Sequence, residues 1–155
     1  GALALAVATR AVGDPPAMPA PPAAATGGLI GPALHVGNVE RALKFYVDGL
    51  GMKVGIQMGP PQRRETILTF GGDPRSPGII LLSDTTAATE PVIAQSNGFD
   101  RVVLRMADLS ATAARLRAVG FAPSDVRDVT MGYRMMTVTD ADGYKYELVQ
   151  TGTTH

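Results

Sequence analysis

The sequence contains no cysteine. That absence removes disulfide frameworks, thiol nucleophiles, iron–sulfur sites and thiolate zinc sites together. Histidine is scarce as well, at two residues, His35 and His155, so side-chain metal ligands are limited to these and the carboxylates. Net charge is missing too: 14 Lys and Arg balance 14 Asp and Glu. Without a broad positive field, neither nucleic acid nor anionic lipid is an expected partner, and Arg63-Arg64 is too small a basic patch to change that. No apolar run reaches the roughly 20 residues of a membrane helix. Gly71-Gly72 has neither the P-loop lysine and hydroxyl nor a helix directly after it, and no nucleophile elbow organises the scattered Ser and Asp residues. What the chain does have is 45% hydrophobic against 18% charged residues over 155 positions, enough for one compact core.

Composition splits the chain. Residues 1–28 are almost entirely Ala, Pro, Gly and small apolar residues and hold five of the 12 prolines. They read as a leader or linker: Ala2–Ala8 resembles the end of a bacterial secretory signal, and Pro15–Pro22 a stiff spacer. An arm packed on the domain or on a second subunit is the equal alternative. Localisation stays open accordingly, cytoplasmic or, if the leader is a signal remnant, periplasmic. Residues 29–150 are expected to form one domain, with 151–155 as a tail.

Within that domain, Leu29–Val36 reads as a strand and Asn38 as the cap of a helix. The helix carries Val39, Ala42, Leu43, Tyr46 and Leu50 at helical spacing and closes at Gly51. Strand-like runs follow at Met52–Met58, Glu65–Phe70 and Gly78–Ser83, separated by Gly59-Pro60-Pro61 and Gly71-Gly72-Asp73-Pro74. After Asn97-Gly98 the same order returns: a strand at Arg101–Met106, a helix capped by Asp108 and closed by Gly120, then strands at Phe121–Val126, Met131–Val138 and Tyr144–Val149. Asp140-Ala141-Asp142-Gly143 forms the last turn. Laying Gly31 on Arg101 pairs Asn38 with Asp108 and Leu43 with Ala113, and the register slips by a single residue at the closing glycines. Duplication explains this better than chance. The expectation is an α+β fold of two βαβββ modules, 29–84 and 98–150.

Two stretches also carry a resemblance. Asn38-Val39-Glu40-Arg41-Ala42-Leu43-Lys44-Phe45-Tyr46 followed by Leu50-Gly51-Met52, and Asp140-Ala141-Asp142-Gly143-Tyr144-Lys145-Tyr146-Glu147-Leu148, resemble the glyoxalase/bleomycin resistance/extradiol dioxygenase superfamily, also called vicinal oxygen chelate. The resemblance covers about residues 29–150. It implies paired βαβββ modules whose curled sheets enclose a cavity, often completed by a homodimer. In the family's metalloenzymes that cavity holds a divalent ion chelating neighbouring substrate oxygens. Carried over position by position, the family's first ligand falls on Gly31 and the third on Arg101. The second falls on Leu81 if Ile80-Leu81-Leu82 is matched to Tyr146-Glu147-Leu148, and the fourth is Glu147. Glycine and leucine offer no ligating side chain, and a guanidinium repels a cation. The expectation is therefore no metal at the usual position and no cofactor.

Strand residues two apart share a face, so the expected cavity walls are Gly31, Ala33 and His35; Ile79, Leu81 and Ser83; Arg101, Val103 and Arg105; and Lys145, Glu147 and Val149. A half-buried Glu147 needs a partner, and Arg101 is the obvious one. The candidate catalytic residues are Glu147 and His35, either as a general base. The candidate ligand-binding residues are Arg101 and Arg105, as bidentate holders of a carboxylate or phosphate, with Leu81, Lys145 and Tyr133, the last near the cavity mouth. The plainer account is that these charges only neutralise one another and that His35 is a hydrogen-bonded wall residue. Met131, Met135 and Met136 read as packing.

Two functions follow. One is metal-free binding of a small organic molecule, partly apolar and carrying an anionic or carbonyl oxygen, as in the bleomycin-resistance branch. The alternative is a lactoylglutathione lyase-like lyase or isomerase, or an extradiol dioxygenase, with one divalent metal in a site rebuilt around His35 and Glu147. A homodimer is the expected partner in either case. Fold analogy does not choose between the two.

Overall fold

Both helices begin where the sequence places their caps. In the computed structural model, which describes residues 27–152, the Asn38 side chain accepts the Arg41 amide at 2.9 Å, and Asp108 accepts that of Ala111 at 2.9 Å. Residues 1–26 of the leader reading lie outside those described. Strand β1 (Ala33–Val36) leads into α1 (Val39–Leu43), which is continued by a π-helical turn (Lys44–Gly49). Then come β2 (Lys53–Met58), β3 (Arg63–Thr69) and β4 (Gly78–Asp84). The second module repeats the order with β5 (Val102–Arg105), α2 (Leu109–Ala118), β6 (Arg127–Val129), a 3-10 turn (Thr130–Gly132), β7 (Tyr133–Thr139) and β8 (Lys145–Thr151). The sheets run β1-β4-β3-β2 and β5-β8-β7-β6, with β1 parallel to β4 and β5 parallel to β8. These are the two βαβββ modules the duplicated pattern implied.

The first helix differs from a plain α-helix in one respect. Leu50 N–H reaches back five residues to the Phe45 carbonyl at 2.9 Å, which widens the turn. The extra residue brings Phe45, Tyr46 and Gly49 inward together, and it accounts for the single-residue slip between Gly51 and Gly120. At Gly49 the two helices touch: an added Cβ would lie 2.6 Å from Leu116 Cδ2, and Arg115 Nε donates to the Gly49 carbonyl at 3.2 Å.

One hydrophobic cluster serves both modules. Leu34, Leu68, Ile79 and Leu81 from the first sheet join Met136, Val138, Tyr146 and Leu148 from the second around Phe45, Leu109 and Leu116. Each large side chain fully buried there contributes roughly 1.5–3 kcal/mol. A polar lock crosses the same core. Tyr46 donates to Asp140 Oδ2 at 2.6 Å and its hydroxyl lies 2.8 Å from that of Tyr146, while Asp140 Oδ1 accepts the amides of Asp142 and Tyr144 at 2.9 Å each. Burial pushes the Asp140 carboxyl above its ordinary value, against the pull of its hydrogen bonds. The next carboxylate in the turn, Asp142, accepts the Gly37 amide at 3.0 Å, so the last turn of the second module holds the first.

Three stretches depart from the sequence pattern. The strand expected over Leu29–Val36 begins only at Ala33, and Leu29 and Ile30 are exposed before it. Phe121–Val126 is not a strand: the edge strand is the shorter β6, and 121–126 is irregular. Pro123 lacks a ladder donor, while Ser124 still fastens to β7 through Thr137 at 2.8 and 2.9 Å, and Phe121 turns inward onto the Phe45 ring, centroids 4.9 Å apart. Met131 is not packing. It sits 90% exposed with φ 65°, beside Gly132 with φ 72°, in the tight turn before β7, whereas Met136 is fully buried.

Candidate functional site

Backbone pairing decides which strand positions face the open side of each sheet. Leu34 pairs with Leu81 on β4, and Leu104, its counterpart in the repeat, pairs with Leu148 on β8. Leu81 therefore corresponds to Leu148, and the counterpart of Glu147 is Ile80, paired with Ala33 as Glu147 is with Val103. The expected wall of Ile79, Leu81 and Ser83 is thus corrected by one position. Ile79 and Leu81 are fully buried against the helices, and Leu81 is a core residue rather than a ligand contact. The open face of the first sheet carries Ala33, His35, Ile80 and Leu82, with Glu65 and Ile67 opposite the last two on β3. That of the second carries Val103, Arg105, Glu147 and Val149, with Tyr133, Met135 and Thr137 in register on β7.

The residues at the family's ligand positions do not fit a divalent ion. Gly31 has φ 145°, and a Cβ added there would lie 1.8 Å from the Gly78 carbonyl oxygen, so no side chain of any kind can stand at this position without moving the backbone. Ile80 has no ligating atom. Arg101 donates from Nε to Glu147 Oε2 at 2.7 Å and from Nη1 to Asp100 Oδ2. The pairing with Glu147 is as the sequence implied. The Asp100 contact was not foreseen, although adjacency at the strand entry was its signal. Among the described residues no group of three His, Asp or Glu side chains lies close enough to hold a metal ion.

His35 sits elsewhere. It lines a cleft of about 470 Å³ with Leu82, Asp84 and Tyr144, roofed by the 87–94 segment through Ala87, Pro91, Val92, Ile93 and Ala94. The Tyr144 hydroxyl donates to the His35 carbonyl at 3.0 Å, which ties the two modules at this point. Glu90 and Gln95 pin the strap. Glu90 accepts from the Arg41 guanidinium and from Asn38 Nδ2, and Gln95 donates to the Asp142 carbonyl at 3.0 Å. The Arg41 contact holds the Glu90 carboxyl below its usual range. Asp84 is held low as well, chiefly by the Thr86 hydroxyl and amide.

The clefts lined by His35 contain none of Arg101, Arg105 and Glu147. Arg105 lines a separate cleft of about 400 Å³ at the module junction, with Leu50, Phe70, Met106, Asp108 and Arg115. Lys145 faces Phe99 and Asp100 in another, and Tyr133 is half-buried at the start of β7. Within one chain the structure thus joins Arg101 to Glu147 and leaves His35 on the other sheet. Sequence reasoning missed the strap and Tyr144, whose contacts span long sequence distances.

The sequence model of the Glyoxalase/Bleomycin resistance protein/Dioxygenase superfamily matches residues 29–148. Among curated proteins, the chain is similar to a probable lactoylglutathione lyase of Synechocystis sp., 28% identical over 79% of this chain and 95% of that protein. It is also similar to the lactoylglutathione lyase of Haemophilus influenzae, 27% identical over 78% and 90%. Among solved structures, the trypanothione-dependent glyoxalase I of Leishmania major superposes with a TM-score of 0.67 at 22% identity, over 81% of this chain and 87% of that one. TnmS3, an antibiotic binding protein from Streptomyces sp. CB03234, superposes with 0.61 at 21%, over 83% and 98%. At these identities the structural likeness speaks for the fold.

Proposed function

We propose that this chain, which belongs to the glyoxalase/bleomycin resistance protein/dioxygenase superfamily, binds a small, partly apolar organic molecule carrying an anionic or carbonyl oxygen, without the family's ion at its usual position. The observation that carries this reading is Arg105. It is exposed, shares the open face with Val103 and Val149, and among the described residues has no carboxylate within salt-bridge distance. Its guanidinium fork is therefore free to take an anionic or carbonyl oxygen beside an apolar surface. The antibiotic-binding neighbour is an instance of this fold used for binding.

A second copy of the chain completes the site in this reading. Val103 and Met58, 55% and 46% exposed, are open-face residues that a partner sheet would cover. Glu65 on the first face and Arg105 and Lys145 on the second supply opposite charges for such a pairing, while Asp84 is already paired with Arg63 beside it. Calorimetric titration with phenylpyruvate and benzoate, alongside sedimentation analysis, tests both parts. Arg105→Leu is expected to weaken binding by roughly 2 kcal/mol or more, the size of a charge-assisted contact. Unchanged affinity in that variant removes Arg105 from the site.

A second reading takes up the lactoylglutathione lyase chemistry named for the curated relatives. In it one divalent metal would be held by His35 and Glu147, which lie on different sheets of one chain and would have to come from two copies. Formation of lactoylglutathione from methylglyoxal and glutathione, dependent on added nickel or zinc and lost in Glu147→Gln, would decide for it.

A further inference from the structure

We propose that Arg101 is the resident cation of the second module's half-site: its guanidinium takes the place that a divalent ion holds in the family's metalloenzymes and offers its remaining edge to a ligand oxygen. The ligand part rests on the binding reading above; the exchange of charge does not. Three observations carry it. Arg101 stands at a ligand position and points its Nε at the one surviving ligand, Glu147, at 2.7 Å. Asp100 takes Nη1, so two carboxylates from the strand entry and from β8 converge on one planar cation, as they would on an ion. Among the described residues Nη2 has no hydrogen-bond partner, which leaves one donor edge for an incoming oxygen.

The first module shows that the exchange is built in. A metal would also need Gly31 and Ile80, and the backbone of Gly78 closes the first while the second is apolar. No single substitution reopens that half. The second half is different, because removing the guanidinium takes the shared counter-charge from Glu147, 21% exposed, and from the solvated Asp100, and leaves two carboxylates beside one another as oxygen donors for a hard divalent cation.

The full chain, stripped with chelator and then given manganese, nickel or zinc chlorides, provides the test by thermal melting and metal content. Wild type is expected to hold far less than one equivalent of any of them and to melt at the same temperature with and without each. Arg101→Gln is expected to melt lower than wild type and to regain several degrees with manganese. Arg101→Lys keeps a cation and should stay indifferent to manganese; should the Gln variant fail to fold, a manganese-dependent rise in the Lys variant overturns the proposal. Stoichiometric metal in wild type overturns it, as does an Arg101→Gln melt that no ion moves. For the donor edge, Arg101→Lys is expected to bind phenylpyruvate about tenfold more weakly than wild type, having lost the guanidinium fork. Equal affinity removes the edge from the site. The ion measurements use no ligand, so a failure of the binding reading leaves their outcome unaffected.

Discussion

Where the first module has Gly31 and Ile80, the second has Arg101 and Glu147, at matching positions of the same topology. The duplication therefore places side chains on the open faces and leaves their chemistry free to diverge. At these two positions the first half is apolar and sterically closed, with the Gly78 carbonyl occupying the space of any Cβ at Gly31. The other half keeps its charges and balances them against one another. The helices diverge too: the first carries a π turn that brings Gly49 against Leu116, and the second stays regular.

The comparison is most exposed at Gly31. Gly31→Ala drives a Cβ into backbone and forces a φ that alanine rarely adopts, so chemical denaturation should show a loss of roughly 3 kcal/mol or more. Arg101→Ala adds no Cβ where none was and should fall well short of that loss; equal losses would erase the difference between the halves. Tyr46→Phe comes next. It deprives the buried Asp140 of its hydroxyl donor, at a cost of roughly 2 kcal/mol, and a variant as stable as wild type would show that the lock between modules is ornamental. Gly49→Ala should cost less, about 1 kcal/mol, because the atom it meets is the movable end of Leu116.

The smallest effects are those of pH, and they have opposite signs in two carboxylates. The folded pKa of Asp140 is raised above the ordinary 3.8. Its contribution is present below that value and is lost as pH rises through the folded value. Stability curves of wild type and Asp140→Asn should differ in slope only between the ordinary and the raised value and run parallel on either side of that window. Glu90, which lies in the strap, is lowered below the ordinary 4.5. Its contribution is present above that value and is lost as pH falls through the folded one. Amide protection across 87–95, taken relative to the intrinsic exchange rate at each pH, should therefore fall as pH drops through the folded value in wild type and show no such step in Glu90→Gln.

Much of this was legible from residues alone. The caps at Asn38 and Asp108, the order of strands and the Arg101–Glu147 pair all stand where local pattern put them. The one-residue slip at the closing glycines was visible as well, though its cause, a π turn, was not. The register of β4 was misread because Ile79, Ile80, Leu81 and Leu82 are all apolar. Alternation marks a face only where polar residues interrupt it, as Glu147 does in β8. Phe121–Val126 reads as a strand by composition, yet Pro123 and the pull of Phe121 toward Phe45 leave the ladder to β6.

Sequence order, capping, periodicity and the absence of thiols thus settled the elements, the duplication and the chemistry excluded, because those signals act over a few residues. The face that Leu81 takes, the second carboxylate on Arg101, the strap over His35 and the separation of His35 from Glu147 were settled by packing. Those contacts join strands and turns distant in the chain, such as Gly37 with Asp142, 105 residues apart, and burial of the shared core rather than local preference selects them.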